Sequence, residues 1–331
     1  MTTVSLEAAS TEREDPPITS PAIHTSELSK IYGSTTALAG LSMTVRRGEI
    51  FGFLGPNGAG KTTAVKLLVG ITRATGGEGW VLGAPIGDLA TRRRIGYLPE
   101  LFRYQDWLSA REVLALHCRL AGLPKSDHRA EIDHALSLVG IADRADDRVG
   151  TYSKGMQQRL GLGVALLGKP EVVFLDEPTS ALDPVGRHDV REIIRSLRRD
   201  GVTVFLNSHL LSEVEQVCDR VAVVDRGRVI AIGTLDELRG ASKRVEIRAE
   251  GIGPETLRSL ARHGQVETEG DVVTVIGIDQ EEVPAIVRDL VSRGCRIYEI
   301  KSRGDSLEES FLHLLGGGDR GHADHSSSDA A

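Results

Sequence analysis

The stretch Gly55-Pro56-Asn57-Gly58-Ala59-Gly60-Lys61-Thr62 decides the fold of this chain. It matches the pattern G-x-x-x-x-G-K-[ST] at every fixed position. In such a loop the backbone amides turn inward together around phosphate oxygens, and glycine tolerates the close, partly left-handed path that this requires. Lys61 supplies a positive charge for the β- and γ-phosphates, and the Thr62 hydroxyl is a suitable Mg²⁺ ligand. We therefore predict that residues Gly55 to Thr63 hold the phosphates of a nucleotide.

The flanks of this loop support that prediction. An apolar run, Glu49 to Leu54, precedes the loop as a short strand, and Thr62 to Ile71 is predicted to form a helix. The positive end of such a helix points toward bound phosphates. A chance match in a glycine-rich turn is the alternative, and a strand before the loop with a helix after it argues against that alternative.

Two adjacent carboxylates complement the loop. The apolar run Val172 to Leu175 reads as a buried strand and ends in Asp176 and Glu177. A parallel strand delivers such residues to the carboxyl edge of its sheet, where ligands of α/β proteins bind. We predict that Asp176 holds Mg²⁺ through water and that Glu177 polarises the attacking water as general base. A strand that ends in Asp-Glu is by itself more often a solvated strand end, but the phosphate loop changes that balance.

The order of predicted elements indicates an α/β domain over residues 21–240. Short apolar runs such as Thr203 to Leu206 are followed by a polar turn and a helix, which is typical of a parallel sheet. Residues 101–167 are predicted to form a helical subdomain, because Ser109 to Leu167 contains successive amphipathic helices and no strand.

The sequence changes character after Gly240. Residues 241–315 follow the order β-α-β-β-α-β, which is the ferredoxin-like pattern and predicts a small C-terminal α+β domain. A capping box, Ser306-Leu307-Glu308-Glu309, opens a last helix. Residues 1–20 and 316–331 are too polar to bury a core, and we expect disordered tails there.

Composition narrows the functional class. The chain has 331 residues and a net charge of −7, so a nucleic-acid partner is not expected. Its three cysteines, Cys118, Cys218 and Cys295, lie far apart and form neither a disulfide framework nor a metal spacing, which fits a reducing cytosol. The longest apolar stretch, Leu160 to Leu167, is too short to cross a bilayer, which takes about 20 residues. A function at a membrane would therefore need a second chain as anchor.

The stretch Tyr152-Ser153-Lys154-Gly155-Met156-Gln157-Gln158-Arg159 resembles the signature motif of the ABC ATPases. Lys154 and Met156 depart from the commonest form, and this variant is familiar in exporter-type members. The resemblance implies that Ser153, Gly155 and Gln157 contact the γ-phosphate of ATP held by an opposite subunit. A capped buried helix is the plainer interpretation of the same residues.

Three further positions resemble motifs of this family. Ser180-Ala181-Leu182-Asp183 resembles the loop that crosses the dimer seam, which implies that Asp183 faces the partner's phosphate loop. His209 resembles the switch histidine that contacts the γ-phosphate, whereas a lone histidine after a strand is usually structural. Tyr32 matches the aromatic residue on which adenine stacks, although a tyrosine in the core or on the surface is the default.

One position departs from the family pattern. Gly96-Tyr97-Leu98-Pro99-Glu100 resembles the loop between the ATP site and the helical subdomain, where the family usually carries Gln. Glu100 keeps an oxygen that can coordinate Mg²⁺. It also adds negative charge beside Asp176 and Glu177, which is expected to raise a carboxylate pKa or alter metal affinity. We interpret Glu100 as a marker of exporter-type subunits.

The resemblance covers about residues 23–240 and implies a P-loop NTPase core with an antiparallel β subdomain. It implies an ATPase that uses ATP and Mg²⁺ in a head-to-tail homodimer, at the cytoplasmic face of the cell membrane, and drives an integral membrane permease on a separate chain, in the direction of export. A non-transport ABC ATPase acting on ribosomes or DNA is the alternative. It is disfavoured because the chain has a single nucleotide domain and no long insertion between Lys61 and Asp176. A regulatory binder without hydrolysis would lack Glu177.

Overall fold

The structure is a computed structural model that describes residues 20–180, 182–238, 244–270, 272–278, 281–303 and Phe311. The strands in these ranges are β1 (Ile23–Tyr32), β2 (Thr35–Val45), β3 (Ile50–Leu54), β4 (Gly76–Val81), β5 (Ala84–Pro85), β6 (Ile95–Leu98), β7 (Val172–Asp176), β8 (Thr203–Ser208), β9 (Arg220–Asp225), β10 (Arg228–Thr234), β11 (Arg244–Glu250), β12 (Gln265–Glu269), β13 (Val272–Ile276) and β14 (Arg296–Arg303). The helices are α1 (Lys61–Leu68), α2 (Leu89–Arg92), α3 (Ala110–Leu120), α4 (His128–Leu138), α5 (Lys154–Ala165), α6 (Pro184–Arg199), α7 (Leu211–Val217), α8 (Leu235–Leu238), α9 (Pro254–Leu260) and α10 (Val283–Ser292).

The predicted parallel sheet is present. It has six strands in the order β10-β9-β3-β8-β7-β6, and all neighbours pair in parallel except the edge hairpin of β9 and β10. Leu54 at the end of β3 pairs with Ser208, and Asp176 at the end of β7 pairs with Asn207. The loop after β3 and the carboxylates after β7 therefore meet at one edge of the sheet.

An antiparallel sheet in the order β2-β1-β4-β5 forms the β subdomain. Its apolar residues share one core with α1 and with one face of the parallel sheet. Phe205 lies at the centre of this face, with its ring 5.8, 5.2 and 5.4 Å from the rings of Phe51, Phe53 and Phe174. These four side chains are fully buried and fix the strands that carry the site.

Helix α1 is shorter than the predicted helix over Thr62 to Ile71. It ends at Leu68, because Gly70 adopts a left-handed φ of 72° and the chain turns away. The amide of Gly70 donates to the carbonyl of Leu67, which is typical of a glycine-terminated helix.

The predicted helical subdomain corresponds to α3, α4 and α5. Ser109 begins α3 with a complete capping box to Glu112. The far end of α5 rests on β6, where a Cβ atom on Gly96 would lie 2.0 Å from the carbonyl oxygen of Ala165. This close contact of two backbones fixes β6, and β6 leads to Glu100.

The C-terminal residues follow the predicted order, β11-α9-β12-β13-α10-β14, and form an antiparallel sheet in the order β12-β13-β11-β14. Val245, Ile247, Leu260 and Leu290 lie in their core. The assignment of 241–315 to a separate ferredoxin-like domain stays a prediction.

The predicted tails and the helix predicted from Ser306 lie outside the described residues, apart from Ser20 and Phe311. In the part of the chain that the structure describes, no helix is both long enough and apolar enough to cross a bilayer.

Replacement of Gly96 with Ala should destabilise the fold by about 1–3 kcal/mol, because the new methyl group meets the carbonyl of Ala165 and overpacks the contact of α5 with β6. Urea unfolding measures the change. Gly253→Ala is the matched control, since Gly253 has an ordinary φ of −95° and nothing lies within 4 Å of an added Cβ. Equal unfolding midpoints for the two variants would contradict the prediction.

Candidate active site

The loop between β3 and α1 has a backbone path that requires glycine. Gly58 and Gly60 adopt φ values of 84° and 96°. A Cβ atom on Gly60 would lie 2.3 Å from the carbonyl oxygen of Ala37, and one on Gly55 would lie 2.3 Å from that of Val224. Helix α1 begins without a side-chain cap, so the loop leaves its first N–H groups available to a ligand.

Lys61 is buried at the centre of the site, 7% exposed. Its Nζ donates to the carbonyl oxygens of Gly55 at 2.8 Å and Pro56 at 3.2 Å. The pKa of Lys61 lies below its ordinary value because the side chain is buried. The attraction of Glu177, Asp176 and Glu100 offsets part of this decrease. A cation in this position is held by the loop itself and by surrounding carboxylates.

Asp176 is fully buried at the end of β7. Its Oδ1 accepts from the side-chain amide of Asn207. The other oxygen, Oδ2, is buried and has no hydrogen-bond partner among the described residues. Burial raises the pKa of Asp176, and the negative charges of Glu100 and Glu177 add to the increase. Glu100 therefore contributes to the raised pKa of Asp176, and burial is the larger cause.

Glu177 adopts a left-handed backbone with φ 52°, a conformation that costs non-glycine residues about 1–3 kcal/mol and is concentrated at active sites. Its amide donates to the Asn207 carbonyl at 2.9 Å. Its Oε1 lies 2.8 Å from Nδ1 of His209, and its Oε2 is buried without a hydrogen-bond partner in the described part of the chain. The strained backbone therefore holds a carboxylate with one oxygen on a histidine and one oxygen uncommitted.

Lys61, Glu177 and His209 line one cleft of about 440 Å³, whereas the fully buried Asp176 is not part of its lining. The lining residues are Thr35, Thr36, Ala37, Asn57, Gly58, Gly60, Lys61, Thr62, Thr63, Glu100, Glu177, Asn207 and His209. The structure thus brings together the predicted loop, Glu100, Glu177 and His209. Sequence reasoning missed the wall formed by residues 35–37, which carry no chemical signal, and the role of Asn207, which was visible only as the neighbour of the predicted histidine.

Nine predicted site residues do not line this cleft. Four of them belong to the elements that form it: Gly55, Pro56 and Ala59 lie in the loop and Asp176 lies at the end of β7. The other five lie outside it. Tyr32 ends β1, pairs in register with Thr35 of the cleft wall, and is 47% exposed. The Nζ atom of Lys30 lies 4.7 Å from the centroid of its ring. An exposed aromatic face therefore stands next to the cleft rather than within it.

The other four form a separate exposed surface. Ser153 caps α5 by accepting from the Met156 amide at 3.2 Å, and Asp183 caps α6 by accepting from the Gly186 amide at 2.8 Å. The two helix starts adjoin each other, since a Cβ atom on Gly155 would lie 3.4 Å from Leu182. Gln157 is half-buried near the same helix start. Within one chain, this surface and the cleft are distinct.

A parallel sheet with a glycine loop, a lysine and carboxylates at its carboxyl edge is the P-loop NTPase fold. Comparisons with known proteins narrow this class. A family model described as ABC transporter matches residues 38–180. The chain is 44% identical over 312 residues to an uncharacterized ABC transporter ATP-binding protein of Synechocystis sp.. This alignment covers 91% of this chain and 87% of the relative.

A second relative is the daunorubicin resistance ATP-binding protein DrrA3 of Streptomyces coeruleorubidus, 40% identical over 295 residues, with 87% of this chain and 93% of the relative covered. A solved structure of an ATP-binding subunit of an ABC transporter aligns with a TM-score of 0.61 and 30% identity, over 66% of this chain and 92% of that one. The chain therefore belongs to the ABC transporter family, as an ATP-binding subunit that hydrolyses ATP in transport.

Replacement of Asp176 with Asn should stabilise the nucleotide-free protein most at neutral and higher pH. Because the folded pKa of Asp176 is raised, its ionisation opposes folding: the penalty is absent below the unfolded pKa of about 3.9 and grows as pH rises through the folded pKa. Thermal unfolding of variant and wild type at about pH 4.5 and about pH 8 measures the difference, which should be larger at the higher pH. Asp106→Asn, at an exposed position, is the control. A difference that shrinks as pH rises would contradict the prediction.

Proposed function

We propose that the cleft binds and hydrolyses MgATP, and that hydrolysis in a homodimer drives a membrane permease. The observation that carries this proposal is that Lys61, Glu177 and His209 line one cleft with the phosphate loop. The cleft combines a cation for phosphate oxygens with a carboxylate that can accept a proton from water.

Phosphate binding is assigned to the loop and to Lys61. Bound phosphates replace the carbonyls of Gly55 and Pro56 as partners of the Lys61 ammonium group, since an anionic oxygen is a stronger acceptor than a backbone carbonyl. Residues Gly55 to Thr63 donate backbone amides to the phosphates. The exposed ring of Tyr32 beside the cleft supports its assignment as the platform for adenine.

The residues at the base of the cleft fit Mg²⁺. No group of three or more His, Cys, Asp or Glu among the described residues can hold a metal. Mg²⁺ does not need such a group, since it binds through one or two carboxylates, water and substrate phosphates. The Thr62 hydroxyl, the uncommitted oxygen of Asp176 and the carboxylate of Glu100 are the oxygen ligands we assign to it. When bound there, Mg²⁺ supplies positive charge to the phosphate oxygens.

Glu177 is the proposed general base and His209 its partner. We assign the attacking water to Oε2 of Glu177, which is buried and has no hydrogen-bond partner among the described residues, while Oε1 lies 2.8 Å from Nδ1 of His209. A carboxylate held on one side and available on the other is pre-organised to orient water and accept its proton. His209 is 46% exposed and remains accessible to a γ-phosphate.

The second surface is the proposed dimer contact. Ser153 and Asp183 are exposed helix caps that lie outside the cleft of their own chain. A helix start donates N–H groups and stabilises negative charge, so α5 suits the phosphate of ATP held by a second copy. We assign Ser153, Gly155 and Gln157 to that contact, and Asp183 to the facing phosphate loop.

The permease contact is proposed at a groove between the sheet and the helical subdomain. Leu89 and Leu120 line this groove and are 73% and 72% exposed, beside Tyr97 of the strand that leads to Glu100. An apolar segment of a permease at the cytoplasmic face of the membrane fits it. The name of the Streptomyces relative, a daunorubicin resistance protein, supports export as the direction.

Replacement of Lys61 with Ala should raise the Kd for MgATP by about 10-fold or more, because a charge-assisted contact of about 1.5–3 kcal/mol is lost. Isothermal titration with the full chain measures the affinity. Lys66→Ala is the matched control, because Lys66 lies on the exposed face of the same helix. Unchanged affinity in Lys61→Ala would refute the assignment of phosphate binding.

Replacement of Glu177 with Gln should lower kcat by about 10²- to 10⁴-fold while ATP binding is retained, because the amide cannot accept the proton from water. ATP should then accumulate in a dimer detectable by size-exclusion chromatography. Glu255→Gln, at an exposed position of α9, controls for the loss of one charge. A turnover rate equal to that of the wild type would remove Glu177 as the base.

A further inference from the structure

A buried ion pair joins two helices that begin at functional loops. Nη1 of Arg191 on α6 donates to both carboxylate oxygens of Glu213 on α7, at 3.0 Å each. The two side chains are 14% and 7% exposed. No residue of the pair lines the nucleotide cleft. An ion pair this far from solvent is costly to bury and is weak evidence for stability alone, so a role in specifying geometry is worth testing.

The pair belongs to a clamp that holds α7 at both ends. Glu213 lies in the first turn of α7, and Arg191 engages it there. Arg195, one helical turn further along α6, donates through Nη2 to the carbonyl oxygen of Gln216 near the end of α7, at 2.9 Å. Helix α7 has only seven residues and no side-chain cap, so these contacts with α6 contribute to its position together with the buried side chains of Val214 and Val217.

Helix α7 in turn determines where His209 lies. Only Leu210 separates His209 from the start of α7, and Nδ1 of His209 lies 2.8 Å from Glu177. The N-terminus of α6 lies directly after Asp183. Nη2 of Arg159 on α5 also pairs with Asp189 on α6 at 2.6 Å. Helix α6 therefore connects the exposed surface of Ser153 and Asp183 to the histidine of the cleft.

We propose that Arg191 is a positioning residue for ATP hydrolysis: through Glu213 it fixes α7, and thereby sets His209 against Glu177. This inference rests on the proposed roles of Glu177 and His209. If Arg191 has this role, the orientation of His209 depends on the position of α6. It then also depends on whether a second copy contacts the surface of Ser153 and Asp183. Arg191 touches no reacting atom and acts only through His209.

The first test is Arg191→Met in the full chain with MgATP. We expect kcat to fall by about 10- to 100-fold, which is the effect of a small misplacement of catalytic groups, with the Kd for ATP unchanged. Arg198→Met is the matched control, because Arg198 lies on the same helix and pairs with Asp219, which lies after the end of α7, in a more exposed position than Arg191. An unchanged kcat in Arg191→Met would overturn the proposal.

A second variant separates positioning from stability. Arg191→Met leaves the Glu213 carboxylate buried and unpaired, which destabilises the protein. Arg191→Met/Glu213→Leu removes both charges and should restore the urea midpoint, yet kcat should stay low because apolar packing does not fix the orientation of α7 as the two hydrogen bonds do. Recovery of kcat together with stability would assign the pair to packing alone and overturn the proposal.

A third measurement asks whether Arg191 acts through His209. In a His209→Ala background, Arg191→Met should lower single-turnover hydrolysis no further, since the residue that it positions is absent. Independent, multiplicative losses would overturn the proposal. Failure of the proposed function is distinguishable from all these results, because Glu177→Gln would then hydrolyse ATP as fast as the wild type.

Discussion

Asn207 is the residue on which the geometry of the cleft depends. Strand register places it opposite Asp176, its side-chain amide donates to the Asp176 carboxylate, and its carbonyl accepts from the amide of Glu177. One residue of β8 therefore fixes both carboxylates that follow β7. A slip of one residue between these strands would turn the side chain of Asn207 to the opposite face and release Asp176. The parallel pairing of β7 with β8 is thus a condition for the chemistry as well as for the core.

The charges in the cleft favour the binding of a charged ligand and reduce the stability of the ligand-free protein. Three carboxylates and Lys61 lie together, and buried oxygens of Asp176 and Glu177 have no partner in the described residues. Burial of such groups opposes folding. A bound cation supplies a partner for these carboxylate oxygens, so the stability lost in the free site contributes to binding of the ligand.

The sequence predicted those features that depend on contiguous residues. The loop over 55–62 can be predicted from one contiguous segment, because the shape of its backbone requires the glycines. The position of Asp176 can be predicted because it ends a single strand. The contact of Glu177 with His209, the wall of residues 35–37 and the double role of Asn207 arise from pairing between distant segments, and no single segment encodes them. The sequence indicates the helix cap at Ser153, whereas the cap at Asp183 is visible only in the structure.

The contact of Gly96 with Ala165 also limits how the helical subdomain can move. Two backbones in contact cannot slide past each other. The end of α5 should therefore move least when the helical subdomain rotates relative to the sheet. Ser153 lies at the opposite end of α5, about 18 Å away at 1.5 Å per residue. A tilt of about 10° there would displace Ser153 by about 3 Å, which is roughly the length of one hydrogen bond. A small tilt of α5 is therefore enough to break the contacts of its first turns with Leu182 and with α6, and to change where Ser153 lies.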